Sequence, residues 1–253
     1  MYKGMHNSIC VHHHTGLGDH MNCCGMIRYL AQDLESVHVI VKEKFFNIVE
    51  YMYRNDDNII LAPIPSDPWE NEREFAKEYF INSGCDKFLT VGHKFFPWQL
   101  TEFLMKHNPF EIFYDQLGMD ISIRHEFCGF VPNPEEEERV YQKLNPNNSP
   151  YVFIHEDQQR QILVDQTVIR EDLARIGNDT TENPLFLAKI IANAEEVHCV
   201  SSSILCMIDA MGMKLKQKGF MHQYREQFGV GKGWTLDWNI IYPNRNRLAS
   251  LKG

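Results

Sequence analysis

No stretch of this sequence approaches the roughly 20 consecutive apolar residues that a bilayer-spanning helix requires, so no transmembrane segment is expected. Positive charge is also scarce: 25 Lys and Arg stand against 34 Asp and Glu, a formal net charge of -9. Binding nucleic acid through a phosphate-neutralising basic face needs the opposite balance, so nucleic acid is not an expected partner. Cysteine is present but builds no scaffold. The seven cysteines are odd in number and scattered from Cys10 to Cys206, which points to reduced thiols rather than a disulfide framework. Lys3, His6 and Asn7 interrupt any apolar run at the start, so no secretory signal is expected and a cytoplasmic location is the simplest expectation.

Phosphate-binding fingerprints are incomplete. The turn Gly16-Leu17-Gly18 would open a dinucleotide motif if position 21 were glycine, but it is Met21. The run Ser201-Ser202-Ser203 is followed by no lysine of the kind a P-loop ATPase uses. No Asp-x-Asp dyad stands at a predicted strand end, so no divalent cation or other cofactor is expected.

What the chain does have is 43% apolar residues over 253 positions, enough for real cores. The pattern alternates between strand and helix. Strands are predicted at 9–13, 37–41, 59–61 and 88–91, with helices over 21–34, 45–53 and 70–82, and a further helical stretch over 97–118 interrupted at Pro109. Such alternation implies a parallel sheet. Pro134 and four following glutamates predict an acidic helix start running to Leu144, and Asn145 to Pro150 is a run of turn formers that reads as a linker. Beyond it, strands near 151–154, 162–164 and 197–200 and helices over 184–194 and 204–211 repeat the pattern. The expected fold is therefore α/β, with two domains, residues 1–146 and a smaller 147–253.

Three constellations carry chemistry. The first is His12 to His20. Gly16 and Gly18 allow a tight turn and a close ligand approach, and the following helix offers unpaired N–H groups to an anionic or hydroxyl-rich ligand. Asp19 is placed either to accept a proton from an attacking hydroxyl or simply to cap the helix; His20 could assist proton transfer or bind phosphate. His12 and His14 share one strand face, with His20, Cys23 and Cys24 near, but two adjacent helical cysteines fit packing better than zinc binding. The second constellation is Tyr151 to Asp157 with Arg160, a buried strand ending in His155, where open α/β sheets place ligands. His155 would meet phosphate or sugar and Arg160 a diphosphate; the alternative is a solvated surface turn. The third is Ser201, Ser202 and Ser203 entering a helix, either a phosphate cradle or an N-cap with spare hydroxyls.

Four segments together, GLGDHMNCCGMIRYLA (16–31), FYDQLGMD (113–120), YVFIHEDQQR (151–160) and NPLFLAKIIANAEEVHCVSSSILCMIDAM (183–211), resemble glycosyltransferases of the two-Rossmann-domain (GT-B) type, especially heptosyltransferase-like and related bacterial or viral polysaccharide enzymes. The resemblance implies two Rossmann-like domains with a cleft between them, the acceptor against the first and the nucleotide against the second. It implies Asp19 as the base, and His155, Arg160 and Ser201 to Ser203 facing the donor's diphosphate. The implied reaction is inverting, metal-independent transfer from a UDP or GDP sugar to a glycan acceptor. A non-catalytic nucleotide-sugar or carbohydrate-binding protein remains an alternative. So does a nucleotide-sugar epimerase of the same architecture, for which His93, His222, Asp209 or Glu182 would supply acid and base.

Overall fold

Ile9, Cys10 and Val11 follow one another without a polar interruption, and a strand apolar on both faces needs a sheet covered on both sides, as parallel sheets are. The structure, a computed structural model describing residues 7–92, 109–217, 219–223 and 234–242, buries all three completely. Strand β1 (Ser8–His12) lies between β2 (Ser36–Lys42) and β4 (Lys87–Thr90), with β3 (Ile59–Ile64) outside β2, all parallel. Helix α1 (Leu17–Ala31) follows β1, α2 (Phe46–Tyr53) follows β2 and α3 (Glu72–Ser83) follows β3. Because each helix carries the chain back, the C-terminal ends of the strands gather at one edge. Helix α3 ends at Gly84, whose φ of 74° is the left-handed conformation that glycine adopts without a Cβ clash.

Helix α1 has no simple apolar stripe, since every residue from His20 to Ile27 is buried. The sheet is not its only neighbour: α4 (Pro109–Asp115) and α5 (Ile123–Glu126) also pack against it. Its buried Asn22 is satisfied across this contact. The fully buried Arg124 donates to Asn22 Oδ1 from Nε at 3.2 Å and from Nη2 at 2.8 Å, and Tyr114 Oη donates to the Asn22 carbonyl at 2.8 Å. The guanidinium also sits 4.3 Å from the centre of the Phe110 ring. Cys24 Sγ meets Cys128 Sγ at 3.3 Å within the same packing.

The chain divides into two compact units, the first running to Val131 and the second starting at Pro132. Helix α6 (Pro134–Leu144) opens the second unit, capped by Asn133, whose side chain accepts from the Glu136 N–H at 3.2 Å. The sequence puts the division after this helix, at the Asn145 to Pro150 turn. In the structure α6 packs on α7 (Ala188–Ala192), and its Arg139 and Lys143 pair with Glu182, so the helix belongs to the second unit. The second sheet has the order β6-β5-β7-β8-β9, all parallel, from β5 (Tyr151–His155), β6 (Ala174–Gly177), β7 (Glu196–Val200), β8 (Phe220–His222) and β9 (Asn239–Ile241). Helix α8 (Ser203–Ala210) follows β7.

Residues 162–164, expected as a strand, form only a single bridge from Ile162 to Asp157. Val164 N–H turns to Glu156 Oε1 at 3.0 Å and the Asp165 carboxylate accepts from Thr167 N–H at 3.0 Å, a local turn that competes with strand pairing. The edge of the sheet is supplied later, by β6. Of the helical stretch expected over 97–118, residues 97–108 lie outside the described residues. Among the described residues no helix is long and apolar enough to cross a membrane.

Two buried histidines on adjacent strands have their tautomers fixed by their neighbours. His222 Nδ1 accepts from the Asp165 N–H at 3.0 Å, so the proton of the neutral ring lies on Nε2, which donates to His198 Nδ1 at 3.0 Å. His198 must then carry its proton on Nε2, 3.3 Å from the Glu196 carboxylate. A further proton on either ring would set donor against donor. Burial, assisted for His222 by the neighbouring His198, holds both rings below the ordinary histidine range, His222 at about 4.

A Cβ at Gly25 would strike the backbone carbonyl oxygens of Ile123 and Arg124, the latter at 2.7 Å, and neither can move without shifting α5. Gly25→Ala should therefore lower stability by about 1–3 kcal/mol in urea denaturation, whereas a variant as stable as the parent would contradict the α1–α5 contact. The histidine pair makes stability depend on pH. Unfolded histidine titrates near 6.5, so the contribution is complete above that value and is lost as pH falls from 6.5 toward 4, where the unfolded chain binds protons that the folded one refuses. Denaturation between pH 8 and 4.5 should show this fall, and His222→Gln, which keeps an acceptor and a donor but cannot titrate, should show a shallower one.

Candidate functional site

The C-terminal edge of the first sheet is built by the last residues of β1 and β2, the turn after β1 and the first residue of α3. Gly16 is the N-cap of α1, with no side chain to satisfy the first turn, and Asp19 is the third residue of the helix rather than its cap. The Asp19 carboxylate folds back over this turn: Oδ2 lies 2.7 Å from where a Cβ on Gly16 would be. Gly16 thus has a specific reason to be glycine, because any side chain there displaces Asp19. Gly18 is the second residue of α1. His20, one residue on, is fully buried, and neither ring nitrogen has a hydrogen-bond partner. Its ring stands edge-on to His13 at 4.5 Å, and burial together with His13 keeps it neutral, well below the ordinary histidine range. His20 is thus a buried neutral ring rather than a cation that would meet a phosphate.

Beside these residues lies a cluster that the sequence did not reveal. Glu72, the first residue of α3, meets His12 Nε2 through Oε1 at 3.1 Å and Lys42 Nζ through Oε2 at 2.7 Å. Burial alone would raise its pKa, but these two donors outweigh burial and hold the carboxyl at about 2. His12 ends β1, Lys42 ends β2 and Glu72 follows β3, so three residues 30 or more positions apart in sequence meet because their strands are neighbours. The only sequence signal would have been their shared position at element ends. The histidines that suit zinc by residue type separate: His12 engages Glu72 and His14 packs on Phe113 at 5.5 Å. Among the described residues, no three His, Cys, Asp or Glu side chains are grouped so as to hold a metal ion.

In the second unit, His155 ends β5 and Ser201 to Ser203 follow β7, and these strands are adjacent in register, His155 pairing with Cys199. The two elements therefore deliver their polar residues to the same edge. Ser202 is the N-cap of α8, yet its hydroxyl caps nothing and is buried without a partner. His155 is only 7% exposed; its Nδ1 lies 2.7 Å from Asn178 Oδ1, while Nε2 is buried with no partner. Leaving such polar atoms buried and unpaired costs about 1–3 kcal/mol each, a cost that a bound ligand would offset. Arg160 stands apart from this pair. Its side chain is 65% exposed and, among the described residues, pairs with Asp157 at 3.7 Å, while the Asp157 carboxylate accepts from the Arg160 N–H at 3.0 Å, which is a surface turn.

The residues considered for epimerase chemistry have structural partners. Fully buried Asp209 accepts from the N–H groups of Thr235 and Leu236, each at 3.0 Å, and from Trp238 Nε1 at 3.1 Å. His222 is committed to Asp165 and His198, and Glu182 to Arg139 and Lys143. His93 lies outside the described residues.

No family model and no curated protein sequence matches this chain. Among solved structures, the glycosyl transferase family 9 protein from Veillonella parvula DSM 2008 superposes with a TM-score of 0.56 at 10% identity, over 97% of this chain and 88% of that one. The iron-containing dodecameric glycosyltransferase TibC from enterotoxigenic E. coli H10407 superposes with a TM-score of 0.45 at 9% identity, over 95% of this chain and 63% of that one. The chain thus shares its α/β fold of parallel sheets with the Veillonella protein.

Proposed function

We propose that this protein is a glycosyltransferase that moves a sugar from a nucleoside-diphosphate donor to a hydroxyl of a glycan acceptor. The observation that carries the reading is the carboxylate of Asp19, folded over Gly16 in the first turn of α1 at the C-terminal edge of the first sheet. A carboxylate there can take the proton of an acceptor hydroxyl as it attacks. The unpaired Ser202 hydroxyl at the start of α8, with Ser201 and Ser203 beside it, supports a place for the donor's diphosphate in the second unit. The shared fold with a glycosyl transferase family 9 protein agrees with this assignment.

In the proposed reaction Asp19 accepts the acceptor's hydroxyl proton. The freed oxygen pair forms a bond to the anomeric carbon, the bond from that carbon to the diphosphate oxygen breaks, and the nucleoside diphosphate leaves with that electron pair. One displacement inverts the anomeric configuration. The serine hydroxyls and the N–H groups of α8 suit the negative charge of a diphosphate without a divalent ion.

The test begins with thermal unfolding against UDP, GDP, ADP, CMP and their sugar conjugates, with and without EDTA. One nucleoside diphosphate at 100 times its dissociation constant should stabilise the fold by about 2.7 kcal/mol, equally in EDTA. With that donor and a panel of glycans, Asp19→Asn should lower transfer by about 10²- to 10⁴-fold while leaving donor affinity within about twofold. Gly16→Ala, which leaves the carboxylate in place chemically but displaces it, should lower transfer in the same direction. Normal transfer by Asp19→Asn would remove the base assignment, and the absence of any nucleotide effect would remove the donor class.

A further inference from the structure

The diphosphate site proposed for the second unit contains a group that, while its ring is neutral, cannot donate to a phosphate. Amide oxygen Asn178 Oδ1 can only accept, so the 2.7 Å contact fixes a proton on His155 Nδ1. In a neutral imidazole Nε2 then carries a bare lone pair. That lone pair is buried, has no partner among the described residues, and stands where β5 ends beside the strand leading into α8. A phosphate oxygen is also an acceptor and would repel it. We infer that His155 Nε2 accepts a hydrogen bond from a ligand hydroxyl, and so reads the ribose or the sugar of the donor rather than its diphosphate.

This inference rests on the donor reading above and refines it. It divides the site by chemistry: Ser202, a hydroxyl that can donate, and the N-terminus of α8 take the anionic part of the ligand, and His155, one strand away, takes a hydroxyl-bearing part. The groups facing His155 agree with a neutral ring. Burial is the dominant influence and lowers its pKa, while the Asn178 contact and the Asp157 carboxylate oppose burial without overcoming it. The buried Nε2 also explains why His155 ends a strand of otherwise apolar residues, Tyr151 to Ile154.

Two measurements test it. In the free protein, long-range ¹H–¹⁵N correlation spectra of ring-labelled histidine at pH 7 should show His155 with its proton on Nδ1, assigned by loss of that signal in His155→Phe; a charged ring or a proton on Nε2 would overturn the inference with no ligand involved. Calorimetry at pH 8 then compares inorganic pyrophosphate, UDP and GDP, and their sugar conjugates. His155→Phe, which keeps ring volume but removes the lone pair, should weaken the hydroxyl-bearing ligands by about tenfold and leave pyrophosphate unchanged. Loss already with the nucleoside diphosphate identifies the ribose as the donor of the hydrogen bond, and loss only with the sugar conjugate identifies the sugar. An equal loss for pyrophosphate, or wild-type affinity that rises as pH is lowered from 8 to 6, would mean a cationic phosphate contact and overturn the inference while leaving the donor reading intact. Binding of pyrophosphate alone, or of none of these ligands, would overturn the donor reading itself.

Discussion

Parallel strand pairing is the constraint on which the rest of this molecule depends. A parallel sheet forces each connection to cross back over a face, so both faces are covered and the strands become apolar throughout. It also sends every strand's C-terminal end to the same edge. Residues far apart in sequence come to one edge without any local pattern announcing it: His12, Lys42 and Glu72 meet in one unit, and His155 and the serines after β7 end adjacent strands in the other. The same edge carries the head of α1 in the first unit and of α8 in the second, and helix N-termini bring N–H groups that strands alone do not supply.

Polar groups within these layers fall into two kinds, separated by whether their hydrogen bonds are complete. Asp209, Arg124 with Asn22, and the chain from Asp165 through His222 and His198 to Glu196 have their donors and acceptors matched, and they tie elements together. His20, His155 Nε2 and Ser202 Oγ are buried without such partners. An unpaired buried polar atom is costly, and under the proposed function His155 Nε2 and Ser202 Oγ are the two that a ligand would complete. Both lie at the C-terminal edge of the second sheet. Hydrogen-bond completion separates His155 from the paired histidines His198 and His222, which residue type alone could not do.

The elements themselves were legible. The strands β1, β2, β4, β5 and β7 and the helices α2, α6 and α8 lie within a residue or two of where the apolar pattern puts them, because covered parallel strands leave short continuous apolar runs and amphipathic helices a periodic one. Helix α1 starts four residues earlier than its apolar repeat, since Gly16 to His20 form the first turn with no side-chain cap to advertise it. Residues 162–164 read as a strand from their apolar content, but Asp165 and Glu156 drew the backbone into a turn. The linker at Asn145 to Pro150 is a genuine break after α6, and the division between units falls before that helix because tertiary packing, not turn composition, decides which side a helix joins.

What the sequence by itself determined is the class of the molecule and the local pieces of its site: alternating α/β order, a glycine turn followed by Asp19, a histidine at the end of a buried strand, and serines before a helix. Each is a short-range pattern, fixed by backbone geometry over a few residues. Only the tertiary structure decided what those residues face. It showed Asp19 folded onto Gly16, His20 sealed in the core, Arg160 in the solvent, and Glu72 joined to His12 and Lys42. The physical reason is that burial and hydrogen-bond completion are properties of neighbours across the sheet, and strand order brings those neighbours from separations that no local spacing encodes.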